Sequence, residues 1–348
     1  MTENPPTVSI LIPTYNQRPE FLRAALQSVF AQTYTDFEVV VSDNHSTNDV
    51  PQVLAEFTDH RLRVIKPPEH LALVPNFQFV GEGARGRYLS FLPSDDVVEP
   101  DWLATLVPLL EASPASVIAF GEVAGVKHDD LHAVIYTNRN NAYPAGEHSA
   151  LDIWKLIMPF GRPTGWLVGG LIRADAYYAV DGIAQAGFHF CVDYTLLIKL
   201  LGHGGAVYAN QLVGRHRVWG VRDGKTDGNR SLRAIHDVCN LYDMVEASPS
   251  YQSHAAHLSA DLAAAKVNKG KLLSLLLIQG RANGKVSDAE HAVAAEKILS
   301  MHDSLMTRGL TATAGFKPAM WLVDRFYGVC TAIYRHLLGP RYNSGITR

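Results

Sequence analysis

The sequence predicts an α/β domain built on an open, mostly parallel sheet with flanking helices, followed by a C-terminal helical domain. Three observations carry this prediction. Short apolar, β-branched runs alternate with helix-period segments through residues 7–125, the runs stop at polar turns, and from about residue 230 the composition shifts to Ala, Leu and Lys at helical spacing. Val8 to Ile12 is a continuous apolar run ended by Pro13, the pattern of a strand buried on both faces. Phe21, Leu22, Ala25, Leu26 and Val29 share one helical face within Glu20 to Phe30, and Phe37 to Val41 is a second strand ending at Ser42-Asp43-Asn44. Asp49 to Phe57 suits a helix, Leu62 to Ile65 a third strand and Asn76 to Gly83 a helix end. Tyr88 to Leu92 reads as a fourth strand, ending at Pro93-Ser94-Asp95-Asp96. Residues 126–225, rich in Gly, Pro, Trp and His, read as loops and shorter elements on the sheet edge. Leu258, Leu262 and Ala265, and later Leu322, Phe326, Val329 and Ile333, mark C-terminal helices, which places the domains at 1–225 and 226–348.

Composition narrows the function. The 348 residues carry 31 basic and 34 acidic side chains, a formal net charge of −3, which argues against a nucleic-acid partner held by bulk positive charge. The three cysteines, Cys191, Cys239 and Cys330, are too few and too widely spaced for a disulfide framework or a Cys-x-x-Cys zinc site, and they read as reduced thiols. Met1 to Thr7 has no basic region followed by an apolar stretch, and no apolar run reaches the length of a membrane span, so a cytoplasmic protein is expected.

In open α/β sheets ligands bind where the chain leaves the carboxyl ends of the strands, and three such exits carry Thr14-Tyr15-Asn16, Asp43 and Asp95-Asp96. Adjacent carboxylates repel, so keeping both ionised calls for donors or a cation, and Mg2+ or Mn2+ would accept carboxylate oxygens while leaving positions for phosphate and water. The bland alternative is a solvated turn, with Asp95 capping the helix through Trp102 and Leu106. Two other motifs are decoys. Gly81-Glu82-Gly83-Ala84-Arg85-Gly86 fits G-x-G-x-x-G, but a helix precedes it and a strand follows, the reverse of a dinucleotide fingerprint. Gly224-Lys225-Thr226 resembles a P-loop end, but Trp219 stands where the first glycine is needed.

The order of five segments, VSILIPTYN at 8–16, LQSVFAQTY at 26–34, FEVVVSDNHSTND at 37–49, GRYLSFLPSDD at 86–96 and VDYTLLIKLLGHG at 192–204, resembles the family 2 inverting glycosyltransferases with the GT-A fold over about residues 7–220. The resemblance implies that Pro13, Thr14 and Tyr15 line a base pocket, that Asp43 accepts a bond from the base, that Asp95 approaches the ribose and that Asp96 binds the metal. It also implies that Asp193, opening an apolar helix, is the catalytic base, although Val192 replaces the family's usual Glu and Pro93 replaces an acidic residue of many relatives. Arg215-His216-Arg217 falls where relatives place a basic residue near the diphosphate. There His216 is a candidate metal ligand and Arg215 a candidate phosphate partner. Asn76 faces either the diphosphate or its own helix start. Trp166, Gly169 and Gly170 resemble the acceptor-side segment, with core packing as the alternative for the Trp.

The implied activity is metal-dependent, inverting transfer of a single sugar from a nucleoside diphosphate sugar to an acceptor hydroxyl in surface glycan or glycoconjugate biosynthesis. The acceptor would be a saccharide or a lipid-linked saccharide. A carboxylate at Asp43 can accept the imide N–H of uracil or thymine, which favours UDP or dTDP donors. The Q-x-x-R-W signature of processive synthases is missing after Gln211. Two other classes are weighed: a sugar-nucleotide pyrophosphorylase, which would carry an early G-x-G-T-R loop where Pro13-Thr14-Tyr15-Asn16 stands, and a non-catalytic nucleotide-sugar binding protein. Finally, residues 316–338 set Met320, Trp321, Phe326, Val329, Ile333 and Leu337 among Lys317, Arg325, Arg335 and His336. Such a helix suits core or homodimer packing, which Asp324 favours, or peripheral contact with the inner face of an anionic membrane.

Overall fold

The computed structural model describes residues 5–137, 144–158, 167–183, 187–189, 191–218, 228–282 and 286–315. Trp166, Cys330, the Gly224-Lys225-Thr226 segment and the amphipathic stretch 316–338 lie outside them. The chain divides into two compact units, the first made of Met1–Trp154, Arg162–Ala186 and Val192–Gly220, the second of Lys155–Gly161, Gly187–Cys191 and Val221–Arg348.

The first unit opens with β1 (Val8–Thr14), α1 (Pro19–Phe30), β2 (Phe37–Asp43), α2 (Val50–Ala55), β3 (Leu62–Ile65), α3 (Leu73–Glu82) and β4 (Tyr88–Phe91). Every residue of β1, β2 and β4 is buried, as strands covered on both faces must be. Val8, Ile10 and Ile12 of β1 and Val39 and Val41 of β2 join Leu22, Leu26 and Val29 of α1 in one apolar cluster. Gly86, last of the G-x-G-x-x-G decoy, sits in a plain helix-to-strand turn. Its N–H donates to Ser9 Oγ at 2.8 Å, and a Cβ there would come within 2.5 Å of the Ser9 nitrogen.

The chain continues through β5 (Val97–Val98), α4 (Trp102–Glu111), β6 (Ser116–Lys127), β7 (Asp130–Thr137), β8 (Gly146–His148), α5 (Ala150–Ile157), β9 (Leu171–Arg173), α6 (Ala174–Ala179), α7 (Val192–Leu200) and β10 (Gly205–Val218). The sheet order is β3-β2-β1-β4-β9-β6-β10-β5, with β7 on β6 and β8 on β10. The β3-β2-β1-β4 half is parallel, as the sequence predicts. The other half is mixed: β9 runs antiparallel between β4 and β6, and β5, β7 and β8 also pair antiparallel, while β6 and β10 are parallel. The 14-residue β10 is the largest departure from expectation, in a region that reads as loops because Gly205, Gly214, Asn210, Gln211 and the Arg-His-Arg triplet interrupt any alternation.

The second unit is helical: α8 (Gly228–Ala247), α9 (Pro249–Ala282), α10 (Asp288–Met301) and α11 (Leu305–Gly315). Leu258, Leu262 and Ala265 are buried along α9 at the spacing that predicts them. A capping box between Ser287 and Glu290 starts α10, satisfying N–H groups that the first turn leaves without helical partners. Among the described residues no helix is long and apolar enough to cross a membrane.

Candidate active site

The polar exits predicted from the sequence meet at one edge of the sheet. In the β1–β2 register Thr14 stands beside Asp43, so the ends of these strands are level. The β1–β4 ladder stops at Leu11 and Phe91, with one further bond from Leu92 N–H to the Leu11 carbonyl. Beyond that point β1 and β4 part, and Pro13, which has no N–H to donate, falls where no ladder bond is required. The strand order reverses here, since β1 leads to β2 and β3 on one side and has β4 on the other. Such a crevice is where open α/β sheets hold ligands. Thr14 is 2% exposed and its hydroxyl has no hydrogen-bond partner, an orphaned polar group at the crevice.

On the β2 side, Asp43 Oδ1 accepts the Ser46 N–H at 3.0 Å; His45 in this turn has positive φ, as does Asn16 after β1, whose Oδ1 accepts the Thr47 N–H at 2.7 Å. Asn44, not singled out in the sequence, clamps the neighbouring loop: its Oδ1 accepts the Leu71 N–H and its Nδ2 donates to the Leu71 carbonyl, each at 2.8 Å. The clamp sets His70 against the half-exposed ring of Tyr15, with centroids 4.3 Å apart. Asn76 lies in the second turn of α3, whose N-cap is Ala72, so it does not start its helix. It is buried, and its Oδ1 accepts the Ser42 hydroxyl at 2.7 Å, tying α3 to the end of β2.

On the β4 side the turn 93–96 is held by β10. Asp96 is 1% exposed; its Oδ1 accepts the Arg217 N–H at 2.8 Å and its Oδ2 lies 3.2 Å from His216 Nδ1. Burial raises the Asp96 pKa, and the hydrogen bond and charge of His216 work against that rise. Burial alone would lower the His216 pKa, but the bond and charge of Asp96, with the charges of Asp95 and Asp193, outweigh it and the net shift is upward. Donors to the Asp96 carboxylate are therefore built in. Asp193 opens α7 within electrostatic reach of His216. Burial raises its pKa, while the N–H groups of Tyr194 and Asp193 and the charge of His216 pull the other way.

Two sequence expectations are corrected. Side chains alternate along a strand, so Arg215 points to the opposite face from His216; it pairs with Glu99 at 2.7 Å and donates to the Leu131 carbonyl, not to the side where a diphosphate would lie. Arg217, unassigned from the sequence, is the organiser: buried, its guanidinium donates to the carbonyls of Asp95 and His128 at 2.6 Å each and stacks 4.2 Å over Phe21. Asp95 does not cap α4, whose N-cap is Asp101. Gly169, expected on the acceptor side with the buried Gly170, adopts a φ of +75°, and its carbonyl accepts the indole N–H of Trp102.

Among the described residues no group of three or more Asp, Glu, His or Cys could by itself hold a metal ion. Asp96 and His216 supply a partial set, one carboxylate oxygen and one imidazole nitrogen, which fits a hard divalent cation whose other positions are filled by phosphate and water.

Residues 9–157 match the family model described as glycosyl transferase family 2. Over those residues, less than half of its length, the chain is similar to this family. It is 26% identical over 217 residues to glycosyltransferase GlyA of Streptococcus pneumoniae, covering 59% of this chain and 30% of that protein. It is 31% identical over 105 residues to TuaG of Bacillus subtilis, a protein named for teichuronic acid biosynthesis, covering 30% of this chain and 41% of that one. The chain spans only 21% to 45% of the length of the first curated relatives it matches. In three dimensions it resembles the crystal structure of S. aureus TarS residues 1–349, with a TM-score of 0.60 at 15% identity over 92% of this chain and 91% of that one. That likeness is one of fold, the GT-A fold with a helical region after it.

Proposed function

We propose that this chain is a family 2 glycosyltransferase that moves a single sugar from a nucleoside diphosphate sugar to an acceptor hydroxyl with inversion at the anomeric carbon. The observation that carries the reading is the convergence of Asp96, His216 and Asp193 at the sheet crevice beside Thr14 and Asp43. Asp193 serves as the base. A raised pKa makes its carboxylate a better proton acceptor, and the first turn of α7 fixes it in place. Direct displacement with an activated hydroxyl on the far face inverts the sugar carbon, as in inverting glycoside hydrolysis. Asp96 and His216 would hold a Mg2+ or Mn2+ ion, which as a Lewis acid would neutralise the departing diphosphate. A sugar-nucleotide pyrophosphorylase or a non-catalytic binding protein would have no need of a poised base at Asp193.

Asp43 supports a pyrimidine donor. Its Oδ1 accepts the Ser46 N–H, which fixes the carboxylate, and its remaining acceptor capacity suits the imide N–H of uracil or thymine. Likeness to TuaG, named for teichuronic acid biosynthesis, supports a role in glycan assembly, and the acceptor we propose is a saccharide or lipid-linked saccharide. The test is a thermal-shift screen of UDP, dTDP and GDP sugars with and without manganese, since a ligand that binds only the folded state raises its melting temperature. A manganese-dependent rise with UDP or dTDP sugars is expected; no rise with any nucleotide sugar sinks the reading.

A further inference from the structure

The strand β7 was read from the sequence as part of a loop-rich edge, yet it delivers an aromatic residue to the site. Tyr136 pairs with Gly125 on β6, and Gly125 pairs in turn with His216 on β10, so Tyr136, Gly125 and His216 form one row across three strands and face the same side of the sheet. Gly125 leaves its place in that row open, and the Tyr136 ring fills it. A Cβ on Gly125 would lie 2.3 Å from the ring carbon bearing the hydroxyl and 2.4 Å from its neighbour, so the phenol end reclines over Gly125 toward β10. The ladder skips Ile135 immediately before Tyr136. Such a β-bulge re-aims the next side chain and recurs beside active sites.

We propose that Tyr136 is a donor-binding residue whose phenol hydroxyl donates a hydrogen bond to the diphosphate of the nucleotide sugar beside Asp96 and His216. The assignment rests on the function proposed above. A phenol is a protonated donor at neutral pH, suited to anionic phosphate oxygens rather than to a metal ion.

Two variants separate the hydroxyl from the ring. Tyr136→Phe removes only the hydroxyl, and Gly125→Ala keeps the tyrosine but displaces its ring; both are checked for an unchanged unfolding midpoint. Binding of UDP with manganese, of uridine and of manganese alone is measured by calorimetry on the full chain. A charge-assisted hydrogen bond predicts about tenfold or more weaker UDP binding in Tyr136→Phe and a comparable loss in Gly125→Ala, with uridine and manganese affinities unchanged. UDP affinity within about twofold of wild type in Tyr136→Phe overturns the assignment and leaves the proposed function standing, as does an equal loss for uridine or manganese. Wild-type protein that binds none of UDP, dTDP and GDP overturns the donor site itself and Tyr136 with it.

Discussion

A carboxylate can take a proton from a sugar hydroxyl only if it is fixed in place and its ionised form is not too comfortable. Asp193, the base proposed above, sits in the first turn of α7, where burial opposes its charge while the N–H groups of Tyr194 and Asp193 and the charge of His216 favour it. Asp193→Asn keeps the shape and removes the base, and turnover is expected to fall by about 10²- to 10⁴-fold with donor affinity within a few-fold of wild type. Rapid-quench turnover and calorimetry check the split, and a loss of donor affinity instead would make Asp193 a structural residue. Asp96→Asn should do the opposite, retaining the acceptor for the Arg217 N–H but weakening manganese-dependent donor binding as well as transfer. At this scale the sequence was informative for the residues that carry charge. Asp43, Asp96, His216 and Asp193 could all be picked out as single letters in a resembling order. Tyr136, Asn44 and Arg217 could not, because their roles depend on a bulge, a loop clamp and a strand face that no local pattern announces.

At the scale of elements, β10 shows why. Its register against β6 shifts at Gly205, Ala209 and Leu212, so its side chains keep no simple alternation over the full length, and the sequence reads as loop. The last stretch, from Gly214 to Val218, is regular, and that regularity sends Arg215 to one face and His216 to the other. The same alternation puts Arg217 with Arg215, where it ties the Asp95 carbonyl to the β6–β7 turn. The two arginines therefore have different jobs. Replacing Arg217 with Met removes its part-buried hydrogen bonds to the Asp95 and His128 carbonyls and should destabilise the fold by about 1–3 kcal/mol in all while loosening the turn that presents Asp96. Arg215→Met breaks an ion pair between partly exposed groups and should cost about 1 kcal/mol or less, with nucleotide affinity unchanged. Urea unfolding and UDP titration of both variants check this, and the reverse ranking would restore Arg215 to the diphosphate.

Over the whole molecule, the parallel half of the sheet and the C-terminal helices were legible because each has one strong period, continuous apolar runs in β1, β2 and β4 and the 258-262-265 stripe in α9. What periodicity does not reveal is a charge placed inside a helical unit. Lys269 of α9 is 8% exposed, and burial draws its ammonium pKa down to about 8, with the charge of Cys191 opposing the change. The folded pKa is then lower than the value of about 10.4 in the unfolded chain, so between these two pH values the unfolded state binds more protons and stability rises with pH. Below pH 8 the lysine is charged in both states, and the buried ammonium carries its full cost, of order 3 kcal/mol. Lys269→Met, which keeps chain length and flexibility without the charge, should therefore raise stability by about 2–3 kcal/mol at pH 7 and remove most of the increase between pH 8 and 10. Urea midpoints followed by the helical circular dichroism signal at pH 7, 8, 9 and 10 provide the measurement. A variant no more stable than wild type at pH 7, with the same rise at higher pH, would mean that Lys269 reaches water or an anionic partner in solution and that the slope belongs to other groups.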